Sequence, residues 1–447
     1  SAKPMQMPVF SDMNFRASGT NEDCLYLNIW APQIKKGVKL PVLVYFYGGG
    51  FVAGDGSEYR YDGESLAKKG IVTVTVNYRL GVFGFLAHPG LTKESPNHAS
   101  GNYGLLDQRE ALIWVKKNIA AFGGDPDKVT IAGESAGSIS VLAHMASPIS
   151  KGLFHGAIGQ SGAMINPTLP PVTLSHAEKQ GEAFMQKIGA KSIGELRSLP
   201  AEKLMDMPYQ PGSFEPEAVI DGYFLTKPPV EVFAVGEQAK VPLLAGWTST
   251  ESSYGGFLEG KFPSPENYTA KVKEVFKERA EEVLRLYPGT TQAEVIASAT
   301  ALASDQFIVY STWKWIDLHR KNSGAPVYAY IFAQPRPKNP EVKPGDLPEP
   351  LDGSGHSHDI EYMLGNLSTN SVYNWTAEDY KVSELAVDYL ANFIKTGNPN
   401  GKDVPSWMPC TFTGKLNIQT IDASPSGAEE QHRSRYLFLD MFYSQRK

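Results

Sequence analysis

Gly133-Glu134-Ser135-Ala136-Gly137 has the form G-x-S-x-G. A serine hydroxyl is a poor nucleophile in an ordinary loop. It becomes useful on a sharp strand-to-helix turn that lifts it clear of the backbone, with glycines where a side chain would strike the flanking strand and helix. The bare pattern is weak, since a glycine-rich chain produces it by chance. Its placement is not weak. Val129–Ala132 reads as a strand immediately before it, and Val141, Leu142 and Met145 carry an apolar helical pattern after it. Ser135 is therefore the expected nucleophile, at a helix N-terminus whose dipole favours developing negative charge.

A second motif suits the same chemistry. Tyr47-Gly48-Gly49-Gly50-Phe51 follows the apolar run Val42–Phe46. Alone, a glycine triplet is a flexible turn. Beside a nucleophile elbow, the N–H groups of Gly49, Gly50 and Ala136 are candidates for an oxyanion hole, because glycines let backbone donors approach a substrate closely. A nucleophilic serine also needs a base and an acid, and spacing alone leaves both open. A rival chemistry is metal-assisted hydrolysis with His356, His358 and Asp359 as ligands. His-x-His plus Asp is a common accident on a loop and no further ligand cluster accompanies it, so neither a metal nor any other cofactor is expected. A third reading is a binding protein on a hydrolase fold.

The elements around these motifs alternate. Leu25–Trp30, Val42–Tyr47 and Ile71–Tyr78 read as strands, Leu105–Ala121 as a helix, and Gly123-Gly124-Asp125-Pro126 as a break before the Val129–Ala132 strand. Further strands are expected at Ala157–Gln160, Val241–Gly246 and Val327–Phe332. The fold class is α/β, a mostly parallel sheet flanked by helices. Ser175–Leu199, Pro265–Leu286 and Thr291–Lys321 are polar, helix-prone stretches suited to a lid or gorge wall. We read residues 1–447 as one domain with helical insertions at about 163–240 and 255–325, and the Pro-rich Gln334–Pro350 as a surface loop.

Bulk properties narrow the partners. The 447 residues carry a formal net charge of -6, which provides no basic surface for nucleic acid. No apolar run approaches the ~20 residues of a membrane span. The expected partner is a small molecule. Two cysteines, Cys24 and Cys410, are too few for a disulfide framework and are read as free thiols. Three glycosylation-type sequons, at Asn267, Asn366 and Asn374, are no more than chance supplies. The chain opens at Ser1 without Met, and a removed leader would imply secretion or a periplasmic location.

Taken together the motifs resemble the type-B carboxylesterases, the family that includes the cholinesterases, in a bacterial-type form. Asn21-Glu22-Asp23-Cys24-Leu25-Tyr26-Leu27-Asn28 is similar to the E-D-C-L-x-L-N signature. Tyr47–Phe51, Asn77-Tyr78-Arg79, Gly101–Gln108, Phe122–Pro126 and Gly133–Gly137 follow in the family's order. The resemblance implies an α/β-hydrolase fold and a Ser-Glu-His triad acting through an acyl-enzyme without cofactor. Thr250-Glu251-Ser252-Ser253-Tyr254 resembles the D-E-G-[ST]-[FY] turn, which makes Glu251 the acid, with Asp221 as its rival. His356-Ser357-His358-Asp359-Ile360-Glu361-Tyr362 resembles H-G-x-E-[IL]-x-[FY], which makes His356 the base and His358 a neighbour; His319 and His432 also follow Glu251. Supporting roles are implied for Glu134, which keeps the site's potential negative, and Ser161, which bonds the acid. Arg79 and Asp107 resemble a structural ion pair.

Two departures stand out. Family members carry several dozen residues ahead of this start, including an F-x-G-[IV]-P-[YF]-A segment and a cysteine partner for Cys24; neither is present in the sequence. Asn14 stands where cholinesterases place a tryptophan that holds a quaternary ammonium. Small uncharged esters are therefore expected, without preference for a choline head. Tyr47, Phe51, Tyr254 and Phe257 are candidates to line an apolar gorge.

Overall fold

The structure is a computed structural model and describes residues 2–33, 37–205, 207–337 and 353–445. Its strands are β1 (Leu27–Trp30), β2 (Leu40–Phe46), β3 (Val72–Val76), β4 (Gly124–Glu134), β5 (Gly156–Gln160), β6 (Val172–Thr173), β7 (Val219–Ile220), β8 (Leu243–Thr248), β9 (Val327–Phe332), β10 (Asn417–Ile421) and β11 (Ser426–Glu429). Nine form one twisted sheet in the order β1-β3-β2-β4-β5-β8-β9-β10-β11, and β6 pairs with β7 separately. From β3 to β10 every neighbouring pair is parallel; β1 and β11 close the edges antiparallel.

The central strands are mostly apolar and largely buried. Val72–Val76 and Val129–Glu134 are buried at every residue. Such continuous burial needs helices on both sides. The helices fall into two groups. Tyr103–Asn118, Ala136–Ala146 and Tyr310–Asn322 pack on one side, and Ala377–Thr396, joined by Glu64–Lys68 and Ile360–Leu364, on the other. This is the α/β-hydrolase arrangement expected from the sequence.

The strand order fixes where a site can form. The chain leaves β2 toward β3 on one side, then passes back over β2 to reach β4 on the other. The carboxyl ends of β2 and β4 therefore open onto a crevice at this reversal, where α/β sheets bind ligands. The glycine triplet follows β2, and Ser135 follows β4 directly.

The boundaries differ from expectation in instructive ways. The Asp125-Pro126 break is a bulge rather than an end: Leu40 pairs with Gly124 and Val42 with Val129, so residues 125–128 loop out of a strand that resumes in register. The three helix-prone stretches form broken helices. The third is Gln292–Ser304, a π-turn at Asp305–Val309, then Tyr310–Asn322. Most of the expected Gln334–Pro350 loop lies outside the described residues. No helix among those described is long and apolar enough to cross a membrane.

Candidate active site

Ser135 sits between the end of β4 and the helix Ala136–Ala146, with φ 54 and ψ -121, a conformation costly for any residue with a Cβ. The surrounding glycines make the turn possible. A Cβ on Gly137 would lie 2.0 Å from the Phe46 carbonyl oxygen, and one on Gly133 would lie 2.4 Å from the Gly137 backbone. Ser135 N–H donates to the Gln160 carbonyl at 2.8 Å, which ties the turn to β5.

His356 Nε2 lies 3.0 Å from Ser135 Oγ, and its Nδ1 lies 2.6 Å from Glu251 Oε2. The carboxylate fixes the tautomer: Nδ1 carries the hydrogen and Nε2 faces the hydroxyl with its lone pair. Glu251 is itself held. Its Oε1 accepts from Ser161 Oγ at 2.5 Å and from the Thr248 N–H at 2.7 Å. A bridge between Thr250 and Gly355 brings the Glu251 loop and the His356 loop together. Ser357 takes φ 65 at the position where the family pattern has glycine, so the turn survives the substitution with a strained backbone.

Asp359 anchors the base's loop from below. Its Oδ2 accepts from Gln160 Nε2 at 3.0 Å and Tyr330 OH at 3.1 Å, while Tyr45 OH donates to Gln160 Oε1 at 3.2 Å. Three strands thus position one histidine. Burial pushes the Asp359 carboxyl up to about 6. Glu134 is buried beside the same histidine, with Oε1 3.3 Å from His356 Nε2. Burial raises its pKa.

Gly49 and Gly50 border the same cavity as Ser135. Gly49 has φ 109, and a Cβ there would meet the Ala53 carbonyl oxygen at 2.2 Å. Among the described residues neither glycine N–H has a hydrogen-bond acceptor. Ala136 is the first residue of its helix, where N–H groups lack an intrahelical partner.

The competing residues go elsewhere. Asp221 accepts three N–H groups of its own turn through Oδ1 and Asn102 Nδ2 through Oδ2. His319 is buried against Val241 and Gln238. His358 accepts the Gly355 N–H at 3.1 Å through Nδ1, and burial drives it down to about 3, so it is neutral. His356, His358 and Asp359 each face different partners and do not converge as a ligand set. Arg79 grips Asp107 with two side-chain bonds of 2.8 and 2.7 Å and a backbone bond of 3.0 Å, as expected of a structural pair. Cys24 and Cys410 are both free.

The cavity above Ser135 measures about 680 Å³. Its walls correct the sequence reading. Tyr47, Phe51 and Phe257 belong to the buried core, Tyr254 packs against it, and none of the four borders the cavity. Tyr47 stacks on Tyr78 at 4.3 Å instead. The apolar walls come from Phe10, Met13, Leu169, Tyr209 and Phe307. Of the three expected lid helices, only the π-turn of the third reaches the cavity; it sets Phe307 edge-on to His356 at 5.1 Å. Asn14 is not on the wall; its N–H donates to Glu58 at 2.9 Å. No local pattern in the sequence marks a π-turn, so Phe307 had no signal there.

Comparison with known proteins agrees with this geometry. Residues 1–437 match the family described as the Carboxylesterase family. Fumonisin B1 esterase of Sphingopyxis macrogoltabida is 40% identical over 370 residues, covering 80% of this chain and 64% of the relative, so the match spans less than two thirds of that protein's length. Para-nitrobenzyl esterase of Bacillus subtilis is 34% identical over 399 residues, 86% of this chain and 76% of the relative. Acylcarnitine hydrolase of Mus musculus is 34% identical over 414 residues, 87% of this chain and 69% of the relative. With a strained serine, a carboxylate-held histidine and a family match over nearly its whole length, the chain belongs to the carboxylesterase family.

Proposed function

We propose that the chain hydrolyses carboxylic esters through an acyl-enzyme, with Ser135 as nucleophile, His356 as base and Glu251 as acid. The observation that carries this reading is the unbroken chain Ser135 Oγ, His356 Nε2, His356 Nδ1, Glu251 Oε2, with contacts of 3.0 and 2.6 Å. Ser135 attacks the ester carbonyl as His356 takes its proton. Glu251 stabilises the resulting imidazolium without itself being protonated. The N–H groups of Gly49, Gly50 and Ala136 receive the oxyanion, each donor worth roughly 3 kcal/mol in comparable hydrolases. His356 returns the proton to the departing alcohol, and water activated by the same imidazole cleaves the acyl-enzyme.

In this reading Glu134 sets the charge felt by His356, and Ser161 orients Glu251. Glu134 also borders the cavity. The whole chain acts as one catalytic domain, with helical insertions at about 163–240 and 255–325. The reaction needs no cofactor, because serine, imidazole and backbone donors supply every step. The test is hydrolysis of p-nitrophenyl acetate by the intact protein and by Ser135→Ala. Loss of roughly 10⁴-fold or more in kcat is expected. A Ser135→Ala protein within tenfold of the parent would contradict the assignment.

A further inference from the structure

Two arginines border the same cavity as Ser135, although neither belongs to the hydrolytic machinery. Arg60 and Arg336 have side chains only 7% and 4% exposed. An esterase for small apolar esters gains nothing from guanidinium groups in its cavity, because their desolvation is costly. They are also built in rather than incidental. Asn366 Nδ2 donates to the carbonyls of Arg60 and Asp62 at 2.9 and 2.8 Å, which fixes the Arg60 segment. Arg336 lies over the Tyr373 ring at 5.1 Å and donates to the Ser357 carbonyl at 3.2 Å, one residue from the catalytic base.

Both side chains border the cavity, and their ion pairs do not take up every guanidinium donor. Arg336 pairs with buried Glu361 through Nη2 and donates to Tyr373 OH at 3.5 Å through Nη1, and its buried Nε has no hydrogen-bond acceptor among the described residues. Arg60 has two acidic neighbours. Glu58 is buried, with Oε1 3.0 Å from Nε, and burial pushes it up to about 7, so its charge is incomplete near neutrality. Asp12 Oδ2 lies 2.9 Å from Nη1, and its side chain is 44% exposed. Asp12 also borders the cavity. Its carboxylate therefore occupies, from an exposed segment, a place on Arg60 that another carboxylate arriving through the cavity can take. The same wall includes His358, which is neutral, and Glu134, whose carboxyl burial pushes up to about 8, so its charge is incomplete near neutrality.

We infer that the cavity takes esters bearing a second, ionised carboxylate, which Arg60 and Arg336 hold while Ser135 attacks the ester carbonyl. This rests on the esterase reading and revises the uncharged substrate expected from the sequence, which had no means of placing Arg60 or Arg336 beside Ser135. A guanidinium suits the task because its planar fork matches a carboxylate.

The test compares isosteric esters on one protein sample. Monomethyl glutarate against methyl 5-methylhexanoate places the charge on the acyl side; 4-acetoxybutyrate against 4-methylpentyl acetate places it on the alcohol side. In at least one pair the anionic ester is expected to have a kcat/KM higher by about tenfold or more, since a site built for a polar group rejects the analogue lacking it. Asp12→Asn, which removes the competing carboxylate, is expected to raise that ratio. Arg336→Gln and Arg60→Gln are expected to bring it toward one. Because both esters are measured on the same sample, the ratio does not depend on how much of a variant folds. Ratios at or below one in both pairs, with the neutral esters still hydrolysed, overturn the inference and leave the esterase reading standing. A high ratio untouched by all three variants overturns the assignment to these residues. If no ester is hydrolysed and Ser135 resists organophosphate labelling, the esterase reading fails and takes this inference with it.

Discussion

Glu134 Oε1 lies 3.3 Å from His356 Nε2, the same nitrogen that faces Ser135 Oγ at 3.0 Å. His356, the proposed base, is thus bracketed by two carboxyl groups, Glu251 on Nδ1 and Glu134 near Nε2. Burial pulls the proton affinity of His356 down, but Glu134 and then Glu251 outweigh it, and its pKa is raised. The imidazole must be neutral to accept the Ser135 proton. Activity is therefore expected to fall as pH drops through this raised value. Glu134→Gln removes the carboxyl group whose interaction most raises His356, so His356 loses its proton more readily and the acid limb of kcat/KM is expected to move to lower pH by roughly one unit. A pH profile checks this; an unmoved limb, or one moved upward, contradicts the role given to Glu134.

The two neighbouring histidines are expected to behave very differently. His356→Ala is expected to cost as much as Ser135→Ala, since triad members act as a unit, roughly 10⁴-fold or more in kcat. His358 is held by the Gly355 N–H and stays neutral, so His358→Ala is expected to cost less than about tenfold. Kinetics on one ester for both variants decides it. A larger loss for His358→Ala would move the base by one alternation.

Ser161 donates to Glu251 Oε1 at 2.5 Å, leaving Oε2 for His356. Ser161→Ala leaves Thr248 N–H as the other donor on that oxygen. Losing one hydrogen bond to a buried carboxylate costs about 1.5–3 kcal/mol. A tenfold to hundredfold drop in kcat is therefore expected, with the fold retained by circular dichroism.

The glycine triplet is expected to tolerate even less. At Gly49 an added Cβ meets the backbone oxygen of Ala53, which cannot step aside as a side chain would, and φ 109 strains any other residue. Gly49→Ala is expected to displace an oxyanion donor and lower kcat by about 10²–10³-fold, the usual cost of losing such a donor. Retention of full kcat would remove Gly49 from the oxyanion hole.

What the sequence revealed and what it hid divide along a physical line. Ser135, Gly49 and Gly50 announce themselves because sharp turns admit few residue types, so the chemistry is written locally. Glu251, His356 and Ser161 needed the family pattern, since their meeting is a product of the sheet: Ser161 and Glu251 follow β5 and β8, neighbours in space with some eighty residues between them. The cavity wall was not legible. Tyr47 and Phe51 sit beside the glycine triplet yet point into the core, where Tyr78 OH donates to the Tyr47 carbonyl at 2.7 Å. Phe307, Arg60 and Arg336 come to the cavity above Ser135 from distant segments, and nothing in their local sequence says so. The last two strands, β10 and the edge strand β11, were also missed, because Asn417–Ile421 and Ser426–Glu429 are short and largely polar.

Covalent trapping of the nucleophile tests the central claim most directly. The protein is incubated with an organophosphate, residual ester hydrolysis is followed, and the modified residue is located by peptide mass spectrometry. The account predicts one adduct per chain, on Ser135, with activity lost in proportion to labelling and no adduct on Ser135→Ala. Full activity in the labelled protein, or an adduct on another residue that accounts for the loss, would contradict it.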